Sequence, residues 1–160
     1  MLTTEQKATV KAFIEAVPEW MALPHNGDGA YFIAKKLAEE DPSNFVVWKT
    51  SVNMDEIMRN GMNWARVDNL TVGKARIWDW IGRLGSFNAS KVNIRAGIDA
   101  AWVGTAADLA VRAVVYTHCK RKANILEKLL ATGIGTDVDP ATMNVEGALS
   151  YQEVQDLMGW

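Results

Sequence analysis

The chain has 160 residues, of which 49% are hydrophobic and 22% charged, and its formal net charge is −2. This length and composition predict one globular domain with a substantial core and exclude a largely disordered chain. The apolar runs are shorter than the ~18 residues needed to cross a bilayer, and the polar N-terminus lacks a basic signal sequence. We therefore expect a protein that is neither inserted in a membrane nor exported.

Charge is distributed unevenly along the chain. Residues 1–58 carry a net charge of −4, residues 59–128 of +7 and residues 129–160 of −5. The acidic ends could neutralise the basic middle within one monomer, or an acidic end could lie on the basic body of a neighbouring subunit. The sequence leaves both arrangements open.

The N-terminal half predicts a series of short helices. Thr3 and Gln6 form a capping-box pattern at the start of a helix that should run to about Ala16. The apolar, β-branched segment at residues 45–50 fits either a strand or a buried turn of helix, and we favour the helix. Further helices are predicted over residues 29–40, from Asn53 to Gly61, from Thr71 to Gly85 and from Ser90 to about Val103.

The most regular pattern begins after Thr105 and continues to about Ala131. Apolar side chains recur there at spacings of three and four, as on the core-facing side of an amphipathic helix. We therefore predict an all-α fold, a helical bundle built around one long helix at residues 105–131. Residues 1–132 would form the helical domain.

Residues 133–160 differ in character from the rest of the chain. Loop-forming residues are followed by a short extended piece, and Ser150 with Glu153 forms a second capping-box pattern before a short terminal helix. This C-terminal arm either packs on its own domain or lies across another chain. Its apolar side chains are the candidate subunit interface: Val138, Met143, Val145, Leu149, Tyr151 and Trp160.

The sequence lacks the common motifs of catalytic and metal-binding sites. No nucleophile elbow, zinc-protease motif or dinucleotide-binding fingerprint occurs, and the two histidines, His25 and His118, are far apart. Cys119 is a single cysteine and fits a small buried hydrophobe. Asp137 and Asp139 lack the further ligands of a calcium loop. We therefore predict no enzyme, no catalytic residues, no cofactor and no metal site.

Lys120, Arg121 and Lys122 form the only basic run. On the predicted long helix these side chains would fan around the surface, which is typical of a solvated face. Contact with DNA phosphates is the functional alternative, because binding that is independent of sequence needs only a basic patch.

Several stretches of the chain also carry a resemblance to a known family. They are residues 66–78, 119–121, 127–137, 140–143 and 146–154, joined in the N-terminal half by residues 28–31 and 47–50. In these stretches the chain resembles a family of short proteins encoded in tailed bacteriophages and prophages. Ile134 departs from it, since a small polar residue is expected there.

The resemblance implies a virion component of the head or neck region, with assembly as its task and no catalysis. The hypothesis is a phage structural protein, most specifically a head-to-tail connector or adaptor that forms a homo-oligomeric ring at the portal vertex. Its partners would be portal, tail or capsid proteins, and it would be found in the virion and, during assembly, in the host cytoplasm. The alternatives are a capsid-decorating or tail-completion protein and a DNA-binding or packaging accessory protein.

Overall fold

The computed structural model describes residues 2–160. The described chain is 55% helix and 9% strand, with ten helices and only small sheets, so the mostly helical prediction is confirmed. The helices are α1 Thr4–Glu15, α2 Pro18–Met21, α3 Gly27–Leu37, α4 Met54–Arg59, α5 Trp64–Asp68, α6 Val72–Arg83, α7 Val92–Ala101, α8 Ala106–His118, α9 Ile125–Leu130 and α10 Tyr151–Met158. The strands are β1 Val46–Trp48, β2 Val52–Asn53, β3 Ser86–Phe87 and β4 Lys120–Lys122.

The predicted long helix at residues 105–131 is wrong, because the structure divides this segment into three elements. α8 ends at His118, β4 pairs with β1, and α9 begins after Asn124. Asn124 accepts a hydrogen bond from the backbone N–H of Glu127 at 2.7 Å, and the Glu127 carboxylate accepts one from the N–H of Asn124 at 3.0 Å. This capping box starts a new helix, so the apolar spacing runs through two helices that a strand separates.

The segment at residues 45–50 also differs from the prediction. Its central residues form β1 rather than a turn of helix. Val47 is fully buried, whereas Val46 and Trp48 on either side are only partly buried. β-branched and aromatic residues favour extended backbone when a partner strand is present, and the partner is β4, which no local pattern revealed.

The chain forms two compact units rather than one. Unit 1 comprises residues 1–47 and 122–160, and unit 2 comprises residues 48–121, so the chain passes between them within β1 and again within β4. Residues 133–160, which were expected either to pack on their own domain or to lie across another chain, belong to unit 1 together with the N-terminal helices. The division at residue 132 therefore does not coincide with a boundary between units.

Unit 1 is organised around α1, α3, α9 and α10. The capping boxes predicted at Thr3 and at Ser150 are present at the starts of α1 and α10. The buried side chains that these helices share include Val10, Ile14, Ile33, Leu37, Leu126 and Val154. A smaller cluster beside them consists of Val47, Ala123, Ala141 and Met143.

Unit 2 has its own core, which lies between α4, α6, α7 and α8. Its largest buried side chain is Trp102, whose ring meets that of Trp78 edge to face at a centroid distance of 5.3 Å. Gly97 brings α7 close to α6, because a Cβ at this position would lie only 3.4 Å from Ile81 Cδ1. Gly97 therefore lies in the contact between α7 and α6. β2 and β3 pair antiparallel at one end, with Val52 opposite Phe87.

Candidate assembly surface

An apolar groove opens on unit 2 between α4, α5 and α6. It encloses about 690 Å³. Its apolar lining is Met54, Met58, Val67, Leu70, Val72, Ala75 and Trp78. Asp68, Arg76 and Asp79 also line it, so both signs of charge are present. A groove of this size and lining is suited to receive aliphatic side chains of another molecule.

The elements around the groove are fixed by local signals and by one buried ion pair. Asn53 caps α4, since its side chain accepts a hydrogen bond from the N–H of Asp55 at 2.9 Å. On the short helix α5, Arg66 donates to Asp108 of α8 at 2.6 Å. The Thr105 N–H donates to the same carboxyl group at 3.2 Å. These contacts hold the α5 side of the groove against α8.

The electrostatics of Asp108 follow from these contacts. The hydrogen bond from Arg66 lowers the pKa of Asp108 to about 2, assisted by Thr105, while burial opposes the shift. The carboxylate is therefore ionised at neutral pH and paired with the guanidinium, which identifies the pair as a structural tie between α5 and α8.

One side of α6 carries large apolar residues into solvent. The exposed fractions are 76% for Val72, 62% for Trp80 and 57% for Leu84. These residues are separated by eight and four positions, so they share one face of the helical register. The opposite side of α6 is buried through Trp78 and Ile81. α6 thus presents three large apolar side chains to solvent on a face that also carries the exposed Asp79–Arg83 ion pair.

The sequence contains a signal for apolar residues on more than one side of α6. Apolar residues occur at 72, 77, 78, 80, 81 and 84, a spread too wide for the single stripe of a surface helix. The structure leaves Val72 and Leu84 exposed at the two ends of this pattern. Met54 and Met58 of the groove were not singled out at all, because a six-residue helix is too short to show periodicity.

The predicted basic run does not lie on a helix. Lys120, Arg121 and Lys122 form β4, where alternate side chains point to opposite faces. Lys120 and Arg121 are half-buried, and the Lys122 ammonium lies 2.8 Å from the Glu40 carboxylate. The DNA contact proposed for these residues remains a prediction.

The six residues predicted as a subunit interface divide into three groups. Val138 is 95% exposed and Tyr151 is 41% exposed. Met143 is buried in unit 1, and Val145 and Leu149 pack partly against its core. Trp160 stacks on His25 with a centroid distance of 4.5 Å and an interplanar angle of 6°. Val138 is therefore the residue of this set that presents its whole side chain outward.

The remaining reactive and polar groups have structural surroundings. Cys119 is fully buried in unit 2, and burial raises the pKa of its thiol to about 12. His118 accompanies it at the end of α8, where Nε2 lies 2.8 Å from the carbonyl oxygen of Asn60. Tyr116 donates to Asp99 at 2.8 Å. Within residues 2–160, three or more histidine, cysteine or carboxylate side chains do not come together as a metal site would need.

Across residues 2–160, each helix is too short or too polar to cross a bilayer.

Comparison of the chain with known protein families, with characterised proteins and with solved structures gave no match.

Proposed function

We propose that this protein is a structural component of a tailed-bacteriophage particle and that its task is to bind other protein subunits. The most specific form of the proposal is a head-to-tail connector or adaptor that forms a ring at the portal vertex, without catalysis. The observation that carries the binding role is the set of large apolar side chains that α6 exposes, namely Val72, Trp80 and Leu84, together with the apolar groove of unit 2 that Val72 also lines.

Exposed residues of this kind favour protein contact on physical grounds. Single apolar side chains on a surface are ordinary, but a contiguous apolar patch marks an interaction site. Tryptophan is enriched among the residues that contribute most to binding energy in protein interfaces. Trp80 leaves 62% of its surface in solvent, so covering it would bury a large apolar area. A partner that covers α6 is the simplest account of this face.

The proposal that the assembly is a phage particle is supported by the resemblance of much of the chain to short phage and prophage proteins. A ring of identical subunits also suits surfaces of modest size, because symmetry repeats each weak contact many times. Both considerations favour a repeated part of the particle over an isolated monomer.

The test uses a phage that encodes this chain and compares two valine variants. Val72→Asp places a charge on the apolar face, whereas Val92→Asp makes the same change at a site 70% exposed on α7, outside the groove lining. We expect Val72→Asp, but not Val92→Asp, to leave DNA-filled heads and tails unjoined in electron micrographs of the lysate. Circular dichroism of both purified variants checks that each is folded. Normal particles from the Val72→Asp phage would contradict the connector role.

Three rival roles have their own outcomes. A capsid-decorating protein would leave heads and tails joined but heads fragile, and a tail-completion protein would alter tails alone. A DNA-binding accessory protein would use Lys120, Arg121 and Lys122. Titrating DNA into the protein at two salt concentrations identifies it, because phosphate binding weakens steeply with salt. The pairing of Lys122 with Glu40 gives this rival less support.

A further inference from the structure

The chain contains two Asn–Gly peptide bonds, Asn26–Gly27 in unit 1 and Asn60–Gly61 in unit 2. At such a bond the glycine backbone nitrogen can attack the asparagine side chain, because glycine has no Cβ to hinder the approach. Both asparagines are exposed to solvent. We propose that Asn26 is a site of spontaneous deamidation in the folded protein and that Asn60 is protected from it.

The reaction exchanges ammonia for water. The Gly27 nitrogen loses its proton to solvent and forms a bond to Cγ of Asn26. The bond from Cγ to Nδ2 then breaks, and Nδ2 takes a proton from solvent and leaves as ammonia. Water opens the resulting succinimide ring at either carbonyl group, which gives aspartate or isoaspartate. Water is the only co-reactant that the conversion needs.

Backbone conformation separates the two sites. Ring closure needs the nitrogen of the next residue on the same side of the Cα–C bond as Cβ. Asn26 has a ψ of −170°, which places the Gly27 nitrogen gauche to Cβ. Asn60 has a ψ of 84°, which places the Gly61 nitrogen nearly opposite to Cβ. Asn26 therefore needs a much smaller rotation than Asn60 to reach the reactive geometry.

Two backbone donors already hold the atom of Asn26 on which charge develops. Its Oδ1 accepts from the N–H groups of Asp28 at 3.0 Å and of Gly29 at 3.3 Å. When the Gly27 nitrogen adds to Cγ, Oδ1 becomes an oxyanion, and donors that are already in place stabilise that oxyanion more than the neutral amide. Both donors belong to the first turn of α3, whose dipole also favours negative charge.

Hydrogen bonding also activates the attacking nitrogen. The Asn26 carbonyl oxygen accepts from the Ala30 N–H at 3.1 Å, which withdraws electron density from the Gly27 nitrogen in the same peptide group. Within residues 2–160 the Gly27 N–H donates to no acceptor. The Asn60 carbonyl oxygen lies 2.8 Å from Nε2 of His118, so this activation is common to both sites. The difference between them therefore rests on ψ and on the donors to Oδ1.

Asn60 is held in its unreactive conformation by contacts at the end of α4. Its Nδ2 donates to the Glu56 carbonyl oxygen at 2.8 Å, which ties down the nitrogen that would have to leave. Gly61 has φ of +94° and turns the chain away from the helix. Rotating ψ of Asn60 would disturb this turn and the contact with His118, so folding should slow the reaction here.

The two products have different effects on unit 1. Aspartate at position 26 keeps a capping oxygen and adds a negative charge where the helix dipole favours it. Isoaspartate lengthens the backbone by a methylene group, which displaces the capping oxygen from the start of α3. The buried Ala30 and Ile33 of this helix belong to the core of unit 1, so isoaspartate should loosen that core.

The test compares both sites within the same molecule. Purified wild-type chain is incubated at mildly alkaline pH, and the peptides that contain Asn26 or Asn60 are followed by mass spectrometry. Labelling with an isoaspartate methyltransferase identifies the rearranged product. A second sample is incubated in urea, where both Asn–Gly bonds are unconstrained and give the reference ratio of rates.

We expect the ratio of the Asn26 rate to the Asn60 rate to be at least about tenfold larger in the folded chain than in urea, because folding aligns one reactive pair and misaligns the other. The same ratio in both samples, or a smaller one in the folded chain, would overturn the proposal.

Gly27→Ala tests the attacking nitrogen. An added Cβ would meet only Gln155 Oε1 at 3.9 Å, and alanine favours the helix, so the variant should remain folded, as circular dichroism can check. We expect the reaction at Asn26 to slow by a similar factor, because the methyl group hinders attack on Cγ. An unchanged rate would show direct hydrolysis of the side chain and would overturn the proposed route.

Discussion

Asp108 shows how one carboxylate holds two elements of unit 2 together. It pairs with Arg66 of α5 at 2.6 Å and accepts from Thr105 at the start of α8. By contrast, Asp79 and Arg83 form a pair at 2.9 Å on the open side of α6, with more than half of each side chain in solvent. Exposed ion pairs of this kind contribute little to stability. Removing one partner of a largely buried ion pair costs more, because the other charge stays buried without its counter-charge.

Asp108→Asn is expected to lower the free energy of unfolding by more than Asp79→Asn does. The substitution removes a carboxylate and leaves the partly buried Arg66 without its counter-charge. The Asp79→Asn control should change the free energy of unfolding by no more than about 0.5 kcal/mol. Urea unfolding at neutral pH measures both variants, and equal effects would contradict the structural role of Asp108.

The same carboxylate predicts a pH dependence. Its pKa is lowered from 3.8 to about 2 in the folded chain, so its stabilising effect is present above the unfolded value and is lost as the pH falls through the folded one. The wild-type chain should therefore lose this stability between about pH 4 and pH 2. Asp108→Asn should reduce the slope in that window, as followed by urea unfolding at several pH values. An unchanged slope would contradict the assigned pKa.

At the scale of elements, the capped helices were predictable and the break in the long pattern was missed. The Thr3 and Ser150 capping boxes were predictable because neither lies inside a continuous run of apolar periodicity. Asn124 and Glu127 have the same spacing, but they lie within an unbroken run of apolar periodicity that concealed them. Strands β1 and β4 are three residues each and pair over a long sequence separation. Local patterns carry no information about such a partner.

Asn124→Ala tests the break between α8 and α9. It removes the side chain that accepts from the Glu127 N–H at 2.7 Å and donates to the Gly147 carbonyl oxygen at 2.9 Å. We expect the free energy of unfolding to fall by about 1–2 kcal/mol. Asn124→Ser keeps a capping oxygen and should recover part of the loss. Equal losses for alanine and serine in urea unfolding would show that the cap is unimportant.

The contact between α6 and α7 gives a second test at this scale. Trp102 is fully buried against Trp78, whereas Trp80 on the same helix as Trp78 is 62% exposed. Trp102→Ala should cost about 3–5 kcal/mol of unfolding free energy, as large cavities in cores do. Trp80→Ala should stay within about 0.5 kcal/mol, as expected for a surface position. Thermal or urea unfolding compares the two, and similar losses would contradict the assigned core.

At the scale of the whole molecule, the sequence predicted the helical class and the segregation of charge but not the division into two units. Along the sequence, both ends of the chain are acidic and the middle is basic. The structure assigns the two ends to unit 1 and most of the middle to unit 2. The chain passes from unit 1 to unit 2 within β1 and returns to unit 1 within β4. Of the predicted interface, Val138 is the member that is almost fully exposed. The groove itself depends on three helices that meet only in the folded chain.

The central claim, that this chain is a repeated part of a phage particle, is tested most directly by mass spectrometry of purified mature particles. Labelled reference peptides measure the amount of the chain relative to the portal protein. The account predicts a fixed ratio that corresponds to several copies in every particle and persists after density-gradient purification. Particles that are infectious and contain none of the chain would contradict it.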